Sequence, residues 1–521
     1  MGKLELKRKH KGIINMINKP GIKIKTGIFG FDDLTLGGIP KNRCTLVRGD
    51  TGTGKTVFSV EFIYRGITDF NENGIYISFE ESPEQIKKNA MSFGWDFEKL
   101  EGEGKLKIID ARDIWITSIE DESTEFGLGH LLKRIKNESE KINAKRVVID
   151  TMFGMFIESR FSIAIRRELH KILNNLNDIG CTSILTTGYM DNTGVDGVNR
   201  TKILEAYVDC VIVLKEKRES VIYGREVCVL KMRGCNYIAG THPMSITTKG
   251  VAVFPLMTNL NIEGAKTKNI KRDECFYTDP PRFMRRLTKN IPCGYNILLV
   301  GGVGTNAGNF ARQILHDGLI RDETCLLVNT HESSHFVKKF MKDYGIDIEK
   351  FIKNDKMFFF DDYIKLQNDE KTLNDSFNNP LILGYLMDRW LMDKKPEKFR
   401  WAVNSITTLI AMNEKDSVNM QQFLYDKVRK IREFEGLGVY TINMDAHPED
   451  LINMVENMMD MVIELKLIEE KGVQHSYMRV CKARGVIADT SWHQYYMVKG
   501  NGIIGTSDDI SSVLRELHIT K

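Results

Sequence analysis

Gly49-Asp50-Thr51-Gly52-Thr53-Gly54-Lys55-Thr56 follows the strand-like run Cys44-Thr45-Leu46-Val47-Arg48 and opens the helix-like run Val57–Tyr64. Gly49, Gly52 and Gly54 let the backbone fold into a nest whose N–H groups point inward, and the helix N-terminus adds its positive end. Such a cradle fits a polyphosphate. In it Lys55 reaches the β- and γ-phosphates and the Thr56 hydroxyl ligates Mg²⁺, so ATP and Mg²⁺ are the expected ligands of this octet. The alternative is a glycine-rich turn, for which the strand before and the helix after have no special meaning.

Hydrolysis at such a cradle needs a second acid for the magnesium shell, a base for the attacking water and cations for the charge spreading over the γ-phosphate. Asp150 ends the apolar strand Arg146-Val147-Val148-Ile149 and suits the first role; alone, an Asp after a strand is a cap or turn residue. Glu80 and Glu81 close the strand-like run Gly74–Phe79, at the edge where open parallel sheets bind ligands. Adjacent carboxylates repel, which favours one of them taking a proton from water. The plainer reading of the pair is an acidic helix start before Pro83. Lys231 and Arg233 stand two apart in the run Glu226–Arg233, so both leave one face of a strand. Two cations on one face suit an anion between them, although a basic pair is also ordinary on a solvated edge.

Around these residues strands alternate with helices. Gly74–Phe79, Lys107–Asp110 and Arg146–Asp150 read as buried strands, with helices from Pro83 to about Phe93 and over about Gly129–Lys141, which predicts an α/β fold with a mostly parallel sheet covered on both faces. The second half repeats the plan. Gly94-Trp95-Asp96-Phe97-Glu98-Lys99-Leu100 returns as Gly345-Ile346-Asp347-Ile348-Glu349-Lys350-Phe351, and Lys231-Met232-Arg233-Gly234 as Lys482-Ala483-Arg484-Gly485, at one common spacing. A duplicated domain follows. The expected organisation is a basic tail over residues 1–20, a first domain over 21–262, a polar linker over 263–274 and a second domain over 275–521.

Composition narrows the class. The 521 residues carry a net charge of +4 with acids and bases intermixed, no footprint of an obligate nucleic-acid binder. Nine cysteines without a C-x-x-C pair read as reduced thiols. No apolar run approaches the roughly 18–20 residues of a membrane helix, and the first ten residues lack a secretory apolar stretch, so a soluble, cytoplasmic protein without a membrane partner is expected.

The stretch Gly52-Thr53-Gly54-Lys55-Thr56-Val57-Phe58-Ser59, the run from Phe79 to Ala90 and Ser92-Phe93-Gly94-Trp95-Asp96 closely resemble the KaiC family, double-domain RecA-type ATPases of the bacterial circadian clock with archaeal relatives. The resemblance spans almost the whole chain and both Lys-x-Arg-Gly strands. It implies two tandem RecA-like P-loop domains in a homo-hexameric ring that binds ATP between subunits and answers to regulatory protein partners. Glu80 and Glu81 would be the catalytic carboxylates, and Lys231 and Arg233 would reach the γ-phosphate of the neighbouring subunit. Cys235 and Tyr237 depart from the family pattern after Arg-Gly.

The second cradle candidate, Gly301-Gly302-Val303-Gly304-Thr305-Asn306-Ala307-Gly308-Asn309, departs further. Gly308 and Asn309 are expected where Lys and Thr belong, Asn404 stands at the place of Asp150, and His331 at that of Glu80. Losing the ammonium and the metal ligands predicts a pseudo-ATPase that builds the ring. The family also phosphorylates itself on adjacent Ser and Thr in its second domain; those places hold Glu456 and Asn457 here, so autokinase activity is not expected. His331-Glu332-Ser333-Ser334-His335 spells the zinc-protease H-E-x-x-H, but it directly follows a strand instead of lying within a helix. Two other functions fit the same cradle: a DNA-handling recombinase relative, disfavoured by the acidic segment 188–197, and a scaffold that binds ATP only to assemble.

Overall fold

The computed structural model describes residues 22–112, 124–150, 171–176, 178–188, 200–217, 224–256, 275–276, 291–343, 346–367, 370–413, 417–470, 472–498 and 502–505. The chain divides between Met257 and Thr258 into two compact units. The expected tail and linker lie outside the described residues.

The first unit contains β1 (Lys23–Ile24), β2 (Ile39–Pro40), β3 (Cys44–Gly49), β4 (Gly74–Ser78), β5 (Leu106–Asp110), β6 (Arg146–Asp150), β7 (Thr182–Thr187), β8 (Cys210–Lys217), β9 (Gly224–Met232), β10 (Thr241–Thr247) and β11 (Gly250–Val253). Nine of them form one sheet in the order β11-β10-β9-β8-β3-β7-β6-β4-β5. Strands β5 to β8 of that order run parallel, and β9, β10 and β11 extend the sheet antiparallel. Buried on both faces, the parallel strands are continuous apolar runs such as Ile75-Tyr76-Ile77 and Val147-Val148-Ile149. One face packs on the helix Lys55–Phe70 through Phe58, Phe62, Ile63, Tyr76 and Val148. The other holds Leu46, Ile77, Ile149 and Leu185 against Leu132, Ile135 and Ile172. The helix Pro83–Met91 starts where the sequence places it, with Ser82 accepting from the Gln85 N–H at 3.2 Å and Pro83 needing no donor in the first turn.

The second unit contains β12 (Cys275–Phe276), β13 (Ile291–Pro292), β14 (Tyr295–Gly301), β15 (Thr324–Asn329), β16 (Met357–Phe359), β17 (Phe399–Asn404), β18 (Leu437–Asn443), β19 (Met461–Glu470), β20 (Val473–Ala483), β21 (His493–Val498) and β22 (Gly502–Gly505). Its nine-stranded sheet, β16-β15-β17-β18-β14-β19-β20-β21-β22, repeats the order of the first from the β5 end. The duplication reaches single side chains. Buried Arg146 donates to the Phe62 carbonyl at 2.8 Å, and buried Arg400 to the Ile314 carbonyl at 2.7 Å.

One matched pair differs in charge. Glu61 on the helix Lys55–Phe70 accepts the Val251 N–H of β11 at 2.7 Å, whereas Gln313 on the helix Ala307–Ile320 accepts the Ile503 N–H of β22 at 2.8 Å. Burial lifts the Glu61 carboxyl from 4.5 to about 7, with the Val251 N–H and Arg65 acting against the shift. The folded state thus holds its proton more tightly than the unfolded chain does. Its contribution is full below pH 4.5 and is lost as pH rises through about 7. Glu61→Gln, copying the twin, is expected to remove a penalty on the order of 2–3 kcal/mol at pH 8 and almost none at pH 4.5. Denaturant midpoints of the first unit at both pH values test this; equal gains at both would assign the effect to packing.

Candidate functional site

Phosphate-binding geometry is built where β3 turns into the helix Lys55–Phe70. Gly52 and Gly54 take the left-handed conformation, φ 86° and 102°, which costs a residue without Cβ little. The Thr53 hydroxyl closes the loop onto the Asp50 carbonyl at 2.8 Å, and the Lys55 ammonium donates to the same oxygen at 2.9 Å. Burial lowers the Lys55 pKa, while the negative fields of Asp150, Glu80 and Asp50 act in the opposite sense. Asp150 ends β6 and Glu80 follows β4, and the parallel order of these strands with β3 puts both at the sheet edge where the cradle begins.

Asp150, 6 % exposed, ends β6 at that edge. Its Oδ1 accepts from the Thr186 hydroxyl and its Oδ2 from the Tyr76 hydroxyl, each at 2.6 Å. Thr56 and Asp150 provide hard oxygen donors on facing elements, a set that fits Mg²⁺. Beyond β4, Glu80 is exposed and Glu81 half-buried. The Glu81 N–H donates to the Ser78 hydroxyl at 3.0 Å, and its Oε2 accepts from the Asn89 amide at 2.9 Å, which in turn accepts from Gln85 at 2.9 Å. Glu81 is thus anchored to the helix Pro83–Met91, and Glu80 stands exposed at the strand end.

Lys231 and Arg233 do not join this cluster in their own chain. Lys231 pairs with Val211 of β8, itself level with Leu46, and the Arg233 N–H reaches Asp209, whose N–H reaches the Cys44 carbonyl. They sit at the start of β3 while the cradle sits at its end, roughly 15 Å along the strand at about 3.3 Å per residue. Both cations point to the last turn of the helix Arg200–Tyr207, Lys231 to the Glu205 carbonyl at 2.7 Å and Arg233 to the Ala206 carbonyl at 2.8 Å. Burial and the neighbouring Arg233 lower the Lys231 pKa. Sequence reasoning missed a further cation at the cradle: Arg225, at the opposite end of β9, donates to the Gly52 carbonyl at 3.2 Å. Its place in the same strand, six residues before Lys231, was the available signal.

In the second unit the loop keeps its shape and loses its charges. Gly304 has φ 85° and Asn306 φ 60°, and the Thr305 hydroxyl bonds the Gly302 carbonyl at 2.7 Å. The helix starts at Ala307 after Asn306 as its twin starts at Lys55 after Gly54. This corrects the register read from sequence: Ala307 occupies the place of Lys55 and Gly308 that of Thr56, one residue earlier than expected. Asn306, a residue that tolerates the left-handed region, does the work of a glycine and hides the alignment.

Asn404 stands opposite Asn329 as Asp150 stands opposite Ser78. Its side-chain amide donates to Asn329 Oδ1 at 2.7 Å and its Oδ1 accepts from the Thr441 hydroxyl at 2.8 Å. A Cβ on Gly308 would come within 3.0 Å of that amide, so the amide lies where a threonine would need room. Glu332, the counterpart of Glu81, is paired with buried Arg312, which also donates to Asn309 at 3.0 Å. His331 is shifted toward its neutral form by burial. The helix after it begins only at Ser334, so His331 and His335 share no helical face as a zinc pair would require. Of the acidic segment 188–197, residues 189–197 lie outside the described residues. Among the described residues no helix is long and apolar enough to cross a membrane.

The family model described as "ATPase: KaiC" matches residues 24–258 and again 281–508, once per unit. The circadian clock oscillator protein KaiC of Thermostichus vulcanus is 30% identical over 483 residues, covering 90% of this chain and 86% of its own length. That of Prochlorococcus marinus strain MIT 9313 is 30% identical over 509 residues, 92% of each chain. That of Synechococcus elongatus is 29% identical over 483 residues, covering 90% and 86%.

Proposed function

Because this chain belongs to the KaiC family of ATPases, we propose that it binds ATP with Mg²⁺ and hydrolyses it in the first unit, within a homo-hexameric ring whose second unit is a pseudo-ATPase. The observation that carries this reading is the meeting of Lys55, Thr56, Asp150 and Glu80 at one sheet edge in the first unit, against neutral or already paired counterparts in the second.

In this reading the nest and Lys55 hold the phosphate chain, and Thr56 and Asp150 hold Mg²⁺. The ion, when bound, offsets charge on the β- and γ-phosphate oxygens. Glu80 takes the proton of the attacking water, and Glu81, fixed by Asn89, helps to orient that water. Lys231 and Arg233 reach the γ-phosphate from the neighbouring subunit, since their own cradle lies at the far edge of the sheet. Closing the interface then couples turnover to ring shape, which regulatory proteins in the cytoplasm read. Autokinase activity is not part of the proposal: its family positions carry Glu456 and Asn457, and the second cradle has no lysine.

Phosphate release measured beside equilibrium binding tests this directly. One hydrolysable ATP per chain is expected; binding without phosphate release would replace the proposal by an ATP-dependent scaffold. Ala307→Lys/Gly308→Thr is expected to leave turnover within about twofold of wild type, because the second unit still lacks its metal acid and its base. The same variant lowers the second unit's unfolding midpoint by pressing a Cβ on Asn404. Appearance of a second set of turning-over sites would show that the lost lysine and threonine were the only defect.

A further inference from the structure

The Tyr76 hydroxyl is fully buried in the core under the cradle and donates to Asp150 Oδ2 at 2.6 Å, opposite the Thr186 hydroxyl on Oδ1. A carboxylate offers only acceptors, so two flanking donors fix its plane and leave its remaining lone pairs directed elsewhere. The twin unit inverts this pattern. Leu327 stands in the sheet register of Tyr76, and the neighbouring Asn329 offers an acceptor to the Asn404 amide, while Thr441 remains a donor as Thr186 is. A phenol donor accompanies the acid, and an amide acceptor accompanies the asparagine.

We propose that Tyr76 is a positioning residue that sets how strongly the first site holds Mg²⁺, by fixing the Asp150 carboxylate for the metal side. This rests on the reading of Asp150 as the magnesium acid. Tyr76 is fully buried and its hydroxyl bonds Asp150, so it acts through that carboxylate. Partners of this kind change metal affinity by about 10–100-fold when removed. The ring contributes to the core with Phe58, Phe62 and Val148, so Tyr76→Phe keeps the packing and removes only the hydroxyl.

The test uses the full chain and three measurements: ATP affinity in EDTA, ATP affinity across a Mg²⁺ titration, and turnover across the same titration. For Tyr76→Phe the Mg²⁺-dependent gain in ATP affinity is expected to shrink about tenfold, and half-saturating Mg²⁺ to rise about tenfold. Affinity in EDTA stays unchanged, and turnover at saturating Mg²⁺ recovers to within about threefold of wild type. A lowered melting temperature with an unchanged Mg²⁺ titration overturns the proposal and leaves Tyr76 a packing residue. Asp150→Asn separates the two layers of inference. If it keeps the wild-type Mg²⁺ dependence, the assignment of Asp150 fails; if it loses that dependence while Tyr76→Phe does not, only the role of Tyr76 fails.

Discussion

Turnover by a Glu80→Gln/Glu81→Gln variant is expected to fall by about 10³-fold, within the 10²–10⁴ range of general-base catalysis, with ATP affinity almost unchanged. Glutamine keeps the size and polarity of the side chains and removes their negative charge and with it their capacity to accept a proton. The loss should divide unequally. Glu80 stands exposed beyond β4, where its charge acts on Lys55, and Glu81 is half-buried with one oxygen held by the Asn89 amide. Glu80→Gln alone is therefore expected to carry most of the effect and Glu81→Gln about tenfold, the size of a disturbed orientation. Single-turnover phosphate release separates chemistry from product release. A wild-type rate in the double variant would remove both residues from the reaction.

Lys231→Ala/Arg233→Ala should be of similar size, about 10³-fold, the lower end of what a trans-acting cation contributes to phosphoryl transfer. Each side chain sits beside carbonyls at a helix end and is substantially solvated, so folding of the unit should survive its loss. The decisive experiment mixes this variant with Lys55→Ala subunits. Each kind is inactive alone, but an interface joining an intact cradle from one to intact cations from the other is complete. Recovery of turnover on mixing is expected. If the double variant turns over at the wild-type rate, or if mixing two inactive proteins restores nothing, the trans contact is wrong.

The asymmetry of the two units gives these experiments their internal reference. Arg146 and Arg400 occupy matched positions with matched partners, so the scaffold was kept. The charges around the cradle were not. Neutralising a metal site piecemeal leaves buried groups without partners; here Asn404, Asn329, Thr441 and Gly308 changed or stayed as a mutually satisfied set. A site rebuilt in this way resists reactivation by any single substitution.

Much of the first site was legible before the structure because its parts are local. A strand, eight loop residues and a helix start make the cradle, and an apolar strand ending in Asp150 supplies the carboxylate proposed for the metal. The duplication was legible because repeated segments need no knowledge of contacts. The register of the second loop was not, since Asn306 adopts a conformation that composition assigns to glycine. Arg225 and Tyr76 escaped because their partners, Gly52 and Asp150, are far away in sequence and meet them only across strands.

Read residue by residue, the chain already displays the chemistry on offer: a phosphate cradle, acids at strand ends, a paired cation strand, and a second copy from which the key charges are gone. Those features follow from covalent neighbours and from the two-residue period of a strand. Which of these groups meet depends on how the strands are ordered in the folded sheet. The order β3-β7-β6-β4 brings Lys55 under the fields of Asp150 and Glu80, and the antiparallel return of β9 carries Lys231 and Arg233 to the edge away from their own cradle. Strand order and register are set by burial of whole faces rather than by any one segment, which is why no local reading contains them.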